Sequence, residues 1–92
     1  MAHYVYILRC SDDSFYVGSA QNLAARVKSH NDGQGAAYTF KHRPVHLVYS
    51  EVFDSETAAV TRERQFKCWS HEKKQALVEG NIESLKHLSK HP

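Results

Sequence analysis

His3-Tyr4-Val5-Tyr6-Ile7-Leu8-Arg9-Cys10-Ser11-Asp12-Asp13-Ser14-Phe15-Tyr16-Val17-Gly18 reads as two short strands about a polar turn. Tyr4 to Ile7 is rich in aromatic and β-branched residues, which suit a pleated surface. Ser11 to Ser14 breaks the pattern, and Phe15 to Gly18 resumes it, so the segment predicts a hairpin. Within a strand Tyr4 and Tyr6 share one face, while Val5 and Ile7 take the other.

The rest of the chain is built around this hairpin. Asn22 can cap a helix running to about His30, with Leu23 and Val27 spaced i, i+4. Asn31 to Pro44 holds Gly33, Gly35 and Pro44 and reads as a long loop, a length at which loops tend to carry function. Val45 to Phe53 alternates as a third strand. Asp54 and Ser55 offer caps for a helix through Ala58, Ala59, Phe66 and Trp69. Ser70 can cap a further helix to about Glu79, stopped by Gly80. Asn81 begins a last short helix, about 82–89, carrying Ile82, Leu85 and Leu88. The expected order is β-β-α-β-α-α-α. Three strands need helices to hide their apolar face, so the fold class is α+β.

Size and composition bound the function. At 92 residues the chain is one domain, 1–92, with its core over about 3–80. Hydrophobic residues make up 41% and charged residues 24%, a globular balance. The longest apolar run, Tyr4 to Leu8, is far short of the roughly 20 residues a membrane span needs. The N-terminus has no secretory pattern. Cys10 and Cys68 match no metal or redox spacing. A cytoplasmic setting with free thiols is expected, and Cys68 and Trp69 are expected in the core.

Net charge is only +2, from 12 Lys and Arg against 10 Asp and Glu. Its distribution is uneven. Arg26, Lys28, Lys41 and Arg43 share the span to His46 with one acid, Asp32. Five bases between Arg62 and Lys74 face only Glu63 and Glu72. Such stretches are compatible with a polyanion, and equally with solvated surface. At about 100° per residue, Arg26 and His30 fall beside Leu23 and Val27 on the first helix. Arg62 and Glu63 likewise intrude on the stripe of Ala59 and Phe66. Ion pairs and active sites both place charge at a core edge.

Tyr4-Val5-Tyr6, followed by Tyr16-Val17-Gly18, resembles the GIY-YIG nuclease signature. The likeness continues through Gly18-Ser19-Ala20, Arg26, His30 and a later helix bearing Glu63, and covers about residues 3 to 80. Tyr38-Thr39 and the Arg43-Pro44 turn resemble the branch of small stand-alone members. The resemblance implies a three-stranded, mainly antiparallel sheet flanked by helices, and metal-dependent endonuclease activity on DNA or RNA, with DNA ahead of RNA. By the same resemblance, Tyr6 lies near the attacking water and Tyr16 is the second tyrosine. Arg26 contacts phosphate, His30 assists proton transfer, and Glu63 is the metal-binding carboxylate. The alternative is a nucleic-acid-binding module of the same fold, weakly active or inactive. A third reading makes Ile82, Leu85 and Leu88 a face for a partner protein.

The residue types suit that chemistry. A forked, permanently charged Arg26 can stabilise a phosphate that gains charge. Mg²⁺ or Mn²⁺ can activate water, and Mg²⁺ keeps most of its own waters, so the single carboxylate of Glu63 suffices. A tyrosine with a pKa near 10 is a poor base unless a cation depresses it or it hands the proton on. His30 is the natural second shuttle. Lys28, Tyr38, Lys41 and Arg43 are candidate nucleic-acid contacts, Tyr38 by stacking and the bases by phosphate contact. His71, His87 and His91 have no zinc spacing and are expected at the surface. Three differences from the family pattern stand out. Tyr4 replaces a glycine, and Ala25 replaces a second base. The downstream amide is matched only by Gln75 or Asn81. A monomer is expected.

Overall fold

The hairpin turn closes as the sequence predicts, with Asp13 in the left-handed region at φ 66° and the Cys10 amide donating to the Ser14 carbonyl at 2.8 Å. Short polar residues such as aspartate tolerate that conformation. The computed structural model describes residues 2–81. Strand β1 spans His3–Arg9 and β2 spans Phe15–Ala20. Helix α1 (Leu23–Asn31) begins at Asn22, whose side chain accepts from the Ala25 amide. A short helix α2 (Ala37–Lys41) and strand β3 (His46–Phe53) follow. Helix α3 (Glu56–Lys67) is capped by Ser55 and α4 (His71–Glu79) by Ser70. Gly80 ends α4 at φ 70°, a left-handed cap that favours glycine.

The sheet is antiparallel throughout, in the order β2-β1-β3, with an irregularity in the β1–β3 pairing between Ile7 and Leu8. Strand β1 is central and therefore buried on both faces. Val5, Ile7 and Val17 pack with Phe66 on one side, backed by Trp69, Leu77 and Val78. Tyr6, Leu8, Cys10 and Val45 form the second cluster, backed by Tyr16, Ala20, Leu23 and Val27. Helices α3 and α4 thus cover one face, and α1 the other.

The observed order is β-β-α-α-β-α-α, because α2 lies within the segment that reads as a loop. Its five residues follow two glycines, and Ala36 caps it without a side-chain hydrogen bond, so neither period nor cap marks it. The helix expected at about 82–89, with Ile82, Leu85 and Leu88, lies outside the described residues, as do His87 and His91.

One smaller expectation changes, and the placing of Arg62 is resolved. Cys68 is exposed rather than in the core, since it caps α3 with its side chain turned outward, while Trp69 packs inward on Phe66. Arg62 owes its odd position to Glu51 on β3, which accepts from its Nε at 2.9 Å, and to the rings of Phe66 and Trp69 beneath its guanidinium. It is a structural ion pair with stacked packing.

Candidate functional site

Tyr6 and Gly18 are register partners across the β1–β2 ladder. A Cβ on Gly18 would sit 2.4 Å from the Tyr6 hydroxyl oxygen, so the phenol lies directly over a residue that has no side chain. The tyrosine from the central strand thereby crosses β2 and delivers its hydroxyl towards the sheet's edge. Ser19, the next residue, points to the opposite face, beside α3.

At that edge the Tyr6 hydroxyl meets His30. Tyr6 Oη and His30 Nε2 are 2.9 Å apart, and His30 Nδ1 is 2.7 Å from Thr39 Oγ1. Thr39 in turn donates its hydroxyl hydrogen to the Ala36 carbonyl at 2.9 Å. With that hydrogen committed, Thr39 can only accept from His30, so the ring carries its proton on Nδ1. Nε2 is then a bare acceptor, and Tyr6 donates to it. All three residues are buried.

The surroundings of His30 are equally constrained. A Cβ on Gly35 would come within 2.1 Å of His30 Nδ1, so only glycine lets the loop close over the ring. Asn31 pins the end of α1 to the start of β3, its amide donating to the Val45 carbonyl at 3.0 Å and accepting from the Val45 amide at 2.8 Å. Tyr16 meets the His30 ring edge-on at 5.2 Å and stacks with Tyr38 at 6.2 Å.

Glu63 arrives from α3. Ser19 Oγ donates to Oε1 at 2.7 Å and Lys67 Nζ sits 2.6 Å from Oε2. Burial pushes its carboxyl up, but the bonds from Lys67 and Ser19 outweigh this and hold it below the ordinary carboxylate value. It is an anion at neutral pH. Arg26 is exposed on α1 and lines a concavity of about 270 Å³ with Ser19, Ala20, Gln21 and Glu56. A neighbouring concavity is lined by Phe15, Tyr16, Val17, Tyr38, Lys67 and Lys74.

The Tyr6 phenol reports how close these groups are. Burial, above all, and then the proximity of Tyr16 raise its pKa to about 12, opposed by the positive charge of Arg26 and reinforced by the negative charge of Glu63. His30 moves the other way: burial, then Arg26, hold it below its usual value, so it is neutral at pH 7. Tyr6 and Tyr16 thus both contact His30, while Arg26 and Glu63 both lie beside Ser19, from β1, β2, α1 and α3.

The GIY-YIG catalytic domain matches this chain over residues 2–76. The chain is a GIY-YIG protein. A UPF0213 protein of Staphylococcus aureus is 48% identical over 77 residues, covering 84% of this chain and 94% of that one. Among solved structures, the UPF0213 protein BH0048 of Bacillus halodurans superposes with a TM-score of 0.55 at 42% identity, over 86% of this chain and 84% of that one. The E. faecalis protein EF2693 gives 0.59 at 32% identity, over 89% and 88%.

The peripheral candidates of this GIY-YIG domain divide. Tyr38 borders the site through its stack on Tyr16 and a bond to Ser14. Lys41 is exposed at the end of α2. Arg43 is exposed and also ties the loop together: Nε donates to the Phe40 carbonyl at 3.1 Å, Nη1 to the Asn31 carbonyl at 3.3 Å, and the guanidinium lies over the Phe40 ring. Lys28 pairs with Asp32 at 2.6 Å and lies about 200° round α1 from Arg26, away from the phenol. Gln75 accepts from Arg9 at 3.1 Å. His71 is exposed, as expected, but stacks on Phe15 at 4.8 Å. Thr39, Ser19, Lys67 and Gly35 are contributors that sequence reasoning missed. Only Lys67, four residues after Glu63, carries a signal in its spacing.

Proposed function

We propose that this protein is an endonuclease that hydrolyses phosphodiester bonds in nucleic acid, DNA ahead of RNA, with one divalent cation on Glu63. The observation that carries this reading is the fixed chain from Tyr6 to His30 to Thr39, beside an ionised carboxylate and an exposed arginine.

The donor set fits a hard cation that retains its waters. Glu63 is ionised, and no group of three or more His, Cys, Asp or Glu able to hold a metal exists among the described residues. Mg²⁺ or Mn²⁺, held by one carboxylate and its own waters, meets that description; a zinc cage does not. Such an ion supplies Lewis acidity at the phosphate and acidifies a bound water.

The chain's own residues do the rest. Arg26 offers two parallel N–H groups to a phosphate in the concavity it lines, where charge grows on the oxygens. A phenol with a pKa of about 12 stays protonated, so Tyr6 cannot begin as the base. It can accept a proton from the attacking water on its oxygen as its own proton passes to His30 Nε2, 2.9 Å away. His30 is neutral and already presents Nε2 bare. Thr39 holds the ring in that tautomer as positive charge develops. Tyr16 packs against the ring and limits its rotation.

A second reading, a binding module with little activity, is favoured by one observation: Lys67 already covers Glu63 Oε2. Both readings meet one assay. Labelled DNA and RNA are expected to be nicked with Mg²⁺ or Mn²⁺ and spared when chelator is added. Glu63→Ala and Arg26→Ala are expected to remove at least about 100-fold of the rate, the scale of losing one electrostatic stabiliser, with unchanged circular dichroism. Cleavage by both variants at the parent rate refutes the endonuclease. Salt-sensitive binding without cleavage selects the module.

A further inference from the structure

We infer that Lys67 is the resident counter-ion of the Glu63 carboxylate, and that a divalent cation must displace its ammonium group to bind. The inference rests on Glu63 being the cation's ligand.

Both carboxylate oxygens are engaged: Oε1 by the Ser19 hydroxyl at 2.7 Å and Oε2 by Lys67 Nζ at 2.6 Å. The partners differ in mobility. The Glu63 side chain is 17% exposed, whereas that of Lys67 is 53% exposed. The acid is fixed by the core, and the base is the member that can leave. Glutamate preceding lysine by four residues on a helix is the favourable order, so the pair forms within α3 alone.

A pair this open to solvent adds little to stability. It has a clearer effect on the carboxylate. The ammonium sits 2.6 Å from Oε2 and helps hold the Glu63 side chain in place. That same charge opposes a second cation on Oε2, since two positive groups cannot share one oxygen without strong repulsion. Lys67 therefore weakens cation affinity while keeping the ligand rotamer ready. Once released, its ammonium faces the concavity it lines with Phe15, Tyr16, Tyr38 and Lys74.

Mn²⁺ is titrated into the ¹⁵N-labelled protein without nucleic acid, and the paramagnetic broadening of amide signals around Ser19 and Glu63 is followed. Lys67→Met is expected to tighten the apparent affinity roughly two- to fivefold, the equivalent of one partly exposed ion pair. Lys67→Arg, which keeps the charge, is expected to stay near the parent. Glu63→Gln is expected to abolish the local broadening. If Glu63→Gln abolishes it but Lys67→Met binds like the parent or more weakly, Lys67 is no competitor and this inference alone falls. If the parent and Lys67→Met both lack local broadening, the assignment of the cation to Glu63 falls with it. Lys67→Gln repeats the measurement should Lys67→Met alter the wider spectrum.

Discussion

His30 has two ring nitrogens with fixed and opposite duties, one donating to Thr39 and the other accepting from Tyr6. Thr39→Val keeps the shape of the side chain but leaves the Nδ1 proton unpaired in a dry site. It is expected to cost about 1–3 kcal/mol in urea unfolding, and Thr39→Ser far less. Nitrogen chemical shifts of His30 should show the Nδ1-protonated ring in the parent and a mixture in Thr39→Val; an unchanged tautomer would contradict the assignment. The same ring makes stability depend on pH. Its folded pKa is depressed by burial and by Arg26, so as pH falls the unfolded chain takes up the proton first. Its contribution is complete above the ordinary value of about 6.5 and drains as pH drops towards the depressed one. Glu63 has the same sign in a lower window, below the ordinary 4.5. Denaturant midpoints across pH 7 to about 5 should slope downward in the parent and be flatter in His30→Gln.

At the scale of single elements, β2 matters less for what it carries than for what it omits at Gly18. Gly18→Ala places a methyl where the phenol oxygen now lies, at 2.4 Å, and the ring must move. The strand itself tolerates alanine. Gly18→Ala is expected to fold, keep the β1–β2 amide pattern, and lose about 100-fold or more in cleavage, because reacting groups tolerate little displacement. A variant that cleaves normally would separate the phenol's position from the chemistry. The elements also mark how far the sequence could be read. Asn22, Ser55, Ser70 and Gly80 announce their helix ends through local chemistry, and each does so in the structure. Helix α2 announces nothing, since one turn and a half has no period and its N-cap, Ala36, offers no side-chain bond. Tyr6, Tyr16, Arg26, His30 and Glu63 were legible as an ordered set of residue types. Thr39, Ser19 and Gly35 were not, because each matters only through a contact, with His30 or Glu63, that no helix or strand period marks. Arg43 shows the converse: its charge is evident in sequence, but not the two carbonyls that engage it.

For the molecule as a whole, the two faces of the sheet are separate clusters, and the candidate site draws on both. Phe66, fully buried between β1, Tyr49 and Trp69, ties α3 and hence Glu63 to the sheet. Phe66→Ala is expected to cost about 3–5 kcal/mol, measured by denaturant unfolding. A loss under 1 kcal/mol would mean that α3 is held by something other than this contact. The phenol and imidazole belong to the cluster under α1, and the carboxylate to the cluster under α3; they meet only at the rim where β2 ends the sheet. A chain with just one side assembled holds either the proton relay or the acid, never both. The two halves of the candidate site are therefore joined only when both helical layers are packed on the sheet.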